Sequence, residues 1–427
     1  MRDTQYLIAM LDAEDGAEVI RSCSDDDWPR LIDVAARHKA LPLLAAAAVD
    51  AEFASILSPS FATMLATSTA DVSSPQLTLS LVHHRNTLRI ADLESQRAEL
   101  QEMLRDKGFP TVALKGAALL ERNIWPNPAA RRMTDIDLLV VDLAHAVPAN
   151  DAIINHGYRM VRSDEVSADS IDHDDHQEPA LLRDDRHGSV EIHSHLLPRF
   201  ARHALTRERA VENIVSSAGA KLALDDVALH VISHARLADR ALVRADLALN
   251  SIFDVGYLLA YDPSIGHALA SRPMEHDVRR AVNVQLAAVE SVFGTSVVGV
   301  TTSARLWWRW TLWLADHPRM HSLYRDLVMV PLFLDRDRLS IRAGHELRGI
   351  SLVRARLTYF TRRARTAIGD AQSTSAPAQA LCTVPAVSGR LRRSSRHLIP
   401  YSGFSFGGGP LRAELPRDEV NVRYLPR

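Results

Sequence analysis

The spacing of apolar side chains separates two helical stretches from a strand-rich segment between them. Residues 1–105 repeat apolar positions at helical spacing, as in DDDWPRLIDVAARHKALPLLAAAAVD, where Trp28 and Leu31 fall on one face. Residues 74–108 predict one long helix or two shorter ones ending at Gly108, because glycine favours the position after a helix. Helical spacing returns after the middle segment and continues through most of the remaining chain.

The middle of the chain carries short apolar runs instead, bounded by turn-forming residues. FPTVALKG and DIDLLVV predict two strands, separated by the helical run AALLERNIW and by two prolines. HQEPALLR and SVEIHSHL predict two further strands, which the turn sequence DDRHG joins into a hairpin. Together these runs predict a compact α/β unit inside an otherwise helical protein.

The order of these runs predicts an α+β fold, with a small mixed sheet and flanking helices embedded in a mainly helical chain. The predicted parts are an N-terminal helical region (1–105), an α/β core (106–200), a C-terminal helical region (201–370) and a tail (371–427). The tail lacks periodicity and is rich in Ser, Pro and Gly, so we predict that it is disordered.

Composition excludes several classes of protein. Of the 427 residues, 47% are hydrophobic and 24% are charged, which is typical of a globular protein. The net charge of −2 argues against a nucleic-acid partner, although it leaves room for local basic patches. Two cysteines, Cys23 and Cys382, cannot build a disulfide framework or a cysteine-based zinc site.

No signal peptide is evident, and no apolar run reaches the roughly 20 residues of a membrane span. We therefore predict a cytoplasmic location.

Carboxylates follow the predicted strands in a pattern that indicates a metal site. Side chains two positions apart in a strand share a face, so Asp135 and Asp137 project together, as do Glu191 and His193. If the two strands are neighbours, three carboxylates converge, and they stay ionised only beside cations. Oxygen ligands favour Mg²⁺ or Mn²⁺, and metals held this way suit phosphoryl transfer. The predicted metal ligands and catalytic residues are Asp135, Asp137 and Glu191.

The first predicted strand ends in LKG, which indicates a phosphate-binding turn. Gly116 allows a close approach to a ligand, and a helix N-terminus following it offers free N–H groups to phosphate. Lys115 adds a positive charge at this turn, and Arg131 is a candidate phosphate clamp four residues before Asp135. The predicted nucleotide-binding residues are therefore Lys115, Gly116 and Arg131.

These motifs together resemble the polymerase-beta-type nucleotidyltransferase superfamily. The run TVALKGAALLERNIWPNPAARRMTDIDLLV, followed by Glu191–Ile192–His193, is similar to the bacterial nucleotidyltransferase-like family called uncharacterised nucleotidyltransferases. The resemblance covers roughly residues 20–260. The sequence departs from the superfamily pattern at one point, because Lys115–Gly116 stands where a Gly-Ser or Gly-Gly pair is usual.

The resemblance implies a minimal nucleotidyltransferase sheet and a metal-dependent enzyme that moves an NMP from an NTP to an acceptor, with release of pyrophosphate. It implies a small molecule, sugar or peptide as the acceptor, bound together with NTP and Mg²⁺ or Mn²⁺. Two alternatives stay open. One is an inactive nucleotide- or partner-binding module of the same fold, and the other is a toxin-like modifier of a protein or tRNA.

The histidines near these motifs indicate a function less specifically than the carboxylates do. His230 and His234 share one helical face, and Asp254 lies on the next predicted helix. The adjacent His-Asp pair of HD-type phosphohydrolases is absent, so we predict a buried polar cluster that braces the C-terminal helices against the α/β core. His193, His230 and His234 are possible accessory site residues. His173 and His176 lie in an acidic run that we interpret as a loop.

Overall fold

The computed structural model describes residues 4, 7–8, 22–24, 27–48, 75–161, 176–215 and 220–333. Backbone contacts separate Met1–Tyr359 from Phe360–Arg427, and every described residue belongs to the first of these units. The predicted disordered tail and His173 lie outside the described residues.

A five-stranded mixed sheet forms the centre of the described structure. Its strands are β1 (Thr111–Ala113), β2 (Asp135–Val140), β3 (Arg159–Met160), β4 (Leu181–Leu182) and β5 (Ser189–His193), in the spatial order β1-β2-β5-β4-β3. Strand β2 pairs antiparallel with β1 and parallel with β5, and β4 pairs antiparallel with both β5 and β3. The predicted strands and the predicted hairpin are therefore confirmed.

Along the chain, helices precede the sheet, lie between its strands and follow it. Before β1 come α1 (Asp27–Arg37), α2 (Leu41–Ala48) and α3 (Pro75–Asp106), and between the strands lie α4 (Lys115–Leu120) and α5 (Ala146–Asn155). After β5 follow α6 (Arg207–Glu212), α7 (Leu224–Ser233), a π-helical turn (His234–Ala238), α8 (Ala241–Arg244), α9 (Leu249–Tyr261), α10 (Ser264–Ser271), α11 (His276–Phe293), α12 (Thr302–Ala315) and α13 (Pro318–Phe333). The fold is α+β, as predicted.

The helix boundaries agree with the sequence pattern. Trp28 and Leu31 are buried on one face of α1, at the helical spacing noted above. Helix α3 is one long helix rather than two, and it ends before Gly108, whose φ of +81° is the left-handed conformation expected after a helix. Within the described residues, no helix combines the length and the apolar character needed to cross a bilayer.

One apolar core joins the sheet to the helices. Ile136 and Leu138 of β2 and Val190 and Ile192 of β5 are fully buried and belong to the same cluster as residues of α3, α7 and α9. The alternation along β2 and β5 therefore turns these four side chains into the core and leaves the acidic side chains on the opposite face.

Candidate active site

Strands β2 and β5 bring the predicted acids together. The two strands run parallel, and Asp137 is the direct register partner of Glu191. Two residues further along β5, the ring of His193 is fully buried, and its Nε2 donates a hydrogen bond to Asp137 Oδ1 at 2.7 Å. The same Nε2 lies 3.8 Å from Glu191 Oε2. The sheet therefore places two carboxylates and one imidazole at a single point.

Lys115 closes this cluster from the turn after β1. Its Nζ donates to Asp137 Oδ1 at 2.7 Å, so this oxygen accepts from both Lys115 and His193. The backbone of Lys115 has a φ of +45°, which is uncommon for a residue with a side chain. Unusual backbone conformations of this kind persist where the surrounding structure holds them, often at functional sites. Lys115 is therefore fixed against the carboxylates rather than extended into solvent.

The charges of the cluster shift its pKa values in opposite directions. Burial would raise the pKa of Asp137, but the Lys115 ammonium and the His193 hydrogen bond outweigh it and hold this pKa well below its usual range. Burial and the charge of Asp137 raise the pKa of Glu191 to about 7. Burial, and then Asp137, also raise the pKa of Asp135. One carboxylate is thus kept ionised while Glu191 exchanges its proton near neutral pH.

The donor set of the cluster fits a divalent cation. Ligand atoms of Asp137, Glu191 and His193 all lie within 4.8 Å of one another, and all three side chains are buried or half-buried. Asp135 lies on the same face of β2 but does not belong to this trio, whereas His193, predicted only as an accessory residue, does. Among the described residues a second trio, formed by His203, Glu275 and Asp277, lies at the exposed surface.

Gly116 and Arg131 pack against each other beside the cluster. A Cβ on Gly116 would lie 2.1 Å from Arg131 Nη1, so the glycine makes room for a guanidinium of this protein. Arg131 is itself buried and forms a bidentate ion pair with Asp254 of α9, with Nε–Oδ1 and Nη2–Oδ2 distances of 2.9 Å. Trp125 Nε1 donates to the same Asp254 Oδ1 at 2.8 Å. The phosphate role predicted for Arg131 stays a prediction, and the structure adds a structural role.

The two candidate histidines of the C-terminal region contact each other, but Asp254 does not join their cluster. His230 is buried and donates from Nε2 to the Leu196 carbonyl at 2.9 Å, which ties α7 to the segment after β5. His234 Nδ1 lies 3.2 Å from Asp239 Oδ2, and its ring contacts that of His230 edge-on. The predicted bracing is therefore confirmed for His230, while Asp254 braces the core through Arg131.

A cleft of about 700 Å³ opens next to the cluster. Lys115, Arg131 and His234 line one part of it, and the remaining walls come from the end of α1, the π-helical turn, α8, the start of α9 and α13. Because Lys115 both lines the cleft and contacts Asp137, the cleft and the carboxylates are adjacent. Its volume is within the usual range for a small-molecule site.

Sequence reasoning missed several residues that build this site. The sequence pattern groups Asp254 with His230 and His234. No local pattern could pair Asp254 with Arg131, which is 123 positions away in the chain. Lys39 lines the cleft from the turn after α1, Arg244 from α8 and Arg325 from α13, and each reads in sequence as an ordinary surface cation. The ring of His176 packs 5.4 Å from that of His193, so one end of the acidic loop reaches the site.

One of three comparisons with known proteins supports the family that the sequence motifs indicate. A search of curated proteins and a search of solved structures give no match to this chain. A family model described as uncharacterised nucleotidyltransferase matches residues 24–294, which include the sheet, the carboxylate cluster and most of the cleft. The match covers well over half of the chain. The protein therefore belongs to the family of uncharacterised nucleotidyltransferases.

Proposed function

We propose that this protein is a metal-dependent nucleotidyltransferase that moves an NMP from an NTP to an acceptor hydroxyl or phosphate and releases pyrophosphate. The observation that carries the proposal is the convergence of Asp137, Glu191 and His193 on adjacent parallel strands, beside a cleft of about 700 Å³, in a member of a nucleotidyltransferase family. We also keep the predictions that the acceptor is a small molecule, sugar or peptide and that the protein acts in the cytoplasm.

Asp137, Glu191 and His193 would hold a divalent cation, with Asp135 at the same edge of the sheet. The cation would supply stabilisation of the negative charge on the reacting phosphate. Mg²⁺ or Mn²⁺ fits the carboxylate oxygens, and the imidazole nitrogen shifts the preference toward Mn²⁺.

The protein's own residues account for the rest of the transfer. Glu191 takes the proton from an acceptor hydroxyl at its Oε atoms. The acceptor oxygen then forms a bond to the α-phosphorus, and the bond between this phosphorus and the bridging oxygen breaks, with its electron pair leaving on pyrophosphate. Lys115, placed between the carboxylates and the cleft, neutralises negative charge on the side of the phosphates.

The first test is pyrophosphate release from each of the four NTPs, with Mg²⁺ or Mn²⁺, in a small-molecule extract that supplies acceptors. We expect release by the wild type and by Asp151→Asn, an exposed control on α5, and at least roughly 100-fold less by Asp137→Ala. Equal release by Asp137→Ala and the control would refute the proposal. Mass spectrometry of the active mixture then identifies the acceptor.

One observation favours the alternative of an inactive binding module. Lys115 already neutralises Asp137 through a 2.7 Å ion pair, so the cluster is compatible with nucleotide binding without turnover. NTP binding with no pyrophosphate release under any of the conditions above would support this alternative.

A further inference from the structure

The cleft is lined by more cationic than anionic side chains, although the whole protein is slightly acidic. The chain carries a net charge of −2, yet the cleft gathers six cationic side chains against three carboxylates. The cations are Arg37, Lys39, Lys115, Arg131, Arg244 and Arg325. Such a concentration of one sign of charge in a concave site attracts ligands of the opposite sign.

The three carboxylates of the cleft are already engaged. Asp254 pairs with Arg131, and Asp239 lies 3.2 Å from His234. Asp246 pairs with Arg244 at 2.8 Å. Each of these carboxylates therefore mainly offsets the charge of the side chain that it contacts.

Among the described residues, two of the cations form no direct ion pair, although Lys39 interacts with the charge of Asp239 and Arg325 with that of Asp246. Within the part of the chain that the structure describes, Lys39 and Arg325 have no ion-pair partner within 4.0 Å. The Nε atom of Arg325 is buried and has no hydrogen-bond partner among the residues that the structure describes. A buried guanidinium nitrogen without an acceptor is costly, and a phosphate oxygen would satisfy it.

The N-terminus of a long helix opens into the same cleft. Residues 248–251, at the start of α9, line the cleft, and α9 continues for 13 residues to Tyr261. Its N-cap residue is Ala248, which provides no side-chain hydrogen bond to the free N–H groups of the first turn. An uncapped N-terminus of this length is a favourable environment for an anion.

Strained backbone marks the cleft as well. Lys39, Lys115 and Ala248 all line it, and all have φ values between +45° and +56°. Conformations of this kind are costly for residues with a Cβ and concentrate at ligand sites.

We propose that this cleft binds a polyphosphate group, with the N-terminus of α9, Lys39 and Arg325 as its recognition elements. The inference rests on the proposed function, which it extends by locating the phosphates. It differs from the turn at Lys115–Gly116 predicted from sequence, because α4 has only six residues and the guanidinium of Arg131 packs on its first turn.

Two substrates could carry this group: the triphosphate of the NTP, or a phosphorylated acceptor. Both present the same chemistry to the cleft. Tripolyphosphate is therefore a suitable probe, because it contains the phosphates without a base or an acceptor.

The test is calorimetric titration of tripolyphosphate into the full-length protein in the presence of EDTA. The variant Lys39→Gln/Arg325→Gln removes the two cations. The matched control is Lys107→Gln/Arg319→Gln, because Lys107 also follows a helix end and Arg319 is an exposed residue of α13. Thermal unfolding of each protein confirms that it is folded.

We expect the wild type and the control to bind equally and the cleft variant to bind roughly ten-fold or more weakly. Equal binding by both variants, or no binding by the wild type, would overturn the inference. A non-hydrolysable NTP with Mn²⁺ distinguishes the sources: competition with tripolyphosphate indicates the NTP triphosphate, and simultaneous binding indicates the acceptor.

The two proposals fail separately. If pyrophosphate release depends on Asp137 but tripolyphosphate does not bind, the polyphosphate cleft is wrong and the transferase activity stands. If tripolyphosphate binds through Lys39 and Arg325 but no NTP is turned over, the cleft stands and the proposed catalysis is wrong.

Discussion

Lys115 controls how much negative charge the carboxylate cluster carries. Its ammonium contacts Asp137 directly and also interacts with the charges of Asp135 and Glu191. A divalent cation on Asp137 must displace or share this position, since both are attracted by the same oxygens. Lys115 would therefore compete with the proposed metal, and it is also a candidate phosphate contact.

Replacing Lys115 by Met keeps the length of the side chain and removes its charge. We expect Lys115→Met to bind Mn²⁺ at least several-fold more tightly than the wild type, because the competing cation is gone. Without metal the same variant should unfold at a lower temperature, since ionised carboxylates then lie buried without a partner. Calorimetry and thermal unfolding measure the two effects. Lys107→Met is the control, and an unchanged Mn²⁺ affinity in Lys115→Met would contradict the competition.

The short helix α4 depends on a glycine at its second position. Gly116 lies against the guanidinium of Arg131, which its ion pair with Asp254 holds in place. A methyl group there must move either α4 or Arg131, and both lie next to the carboxylates. The LKG motif is thus explained partly by packing inside the protein.

We expect Gly116→Ala to lower the free energy of unfolding by about 1–3 kcal/mol, the usual cost of overpacking. The control is Gly266→Ala in α10, where the nearest atom to the new Cβ is 3.6 Å away. That substitution should stabilise by about 0.5–1 kcal/mol, because alanine is the better helix former. Urea unfolding measures both. A neutral Gly116→Ala would show that Arg131 is free to move.

The local periodicity of apolar residues predicted the helices and strands well. What it could not predict depends on single backbone conformations and on contacts between distant parts of the chain. The alternation of DIDLLV and SVEIH fixed which side chains face the core, and therefore which acids share a face. It could not show that Lys115 folds back onto Asp137, because this depends on one left-handed residue. Nor could it place the start of α9 at the cleft, since that contact is set by packing between distant helices.

At the level of the whole molecule, one buried network joins three regions of the chain. Asn86 of α3 donates to the carbonyls of Ala129 and Arg131 at 2.6 and 2.8 Å, and Arg131 pairs with Asp254 of α9. The segment before β2 is therefore tied to a helix on each side. Within the described structure, the α/β core and both helical regions should unfold together.

Breaking the Arg131–Asp254 pair tests this connection. We expect Asp254→Asn to cost about 3–5 kcal/mol of stability, because it leaves the charge of Arg131 buried and uncompensated. The double variant Arg131→Met/Asp254→Leu should lose less than the sum of its single substitutions, since no unpaired charge remains. Denaturant unfolding of the cycle measures the coupling. Additive losses would mean that the two side chains contribute independently.

The parallel pairing of β2 with β5 also affects how the protein is made. Asp137 and Glu191 are neighbours in space but about 50 positions apart in sequence, with α5, β3 and β4 between them. Closing so long a connection delays this contact relative to local helices. During synthesis, Asp137 leaves the ribosome well before Glu191 and His193, so the emerging chain carries only part of the ligand set. The proposed metal site should therefore be complete only after the sheet has closed, when all three donors can select among the ions of the cell.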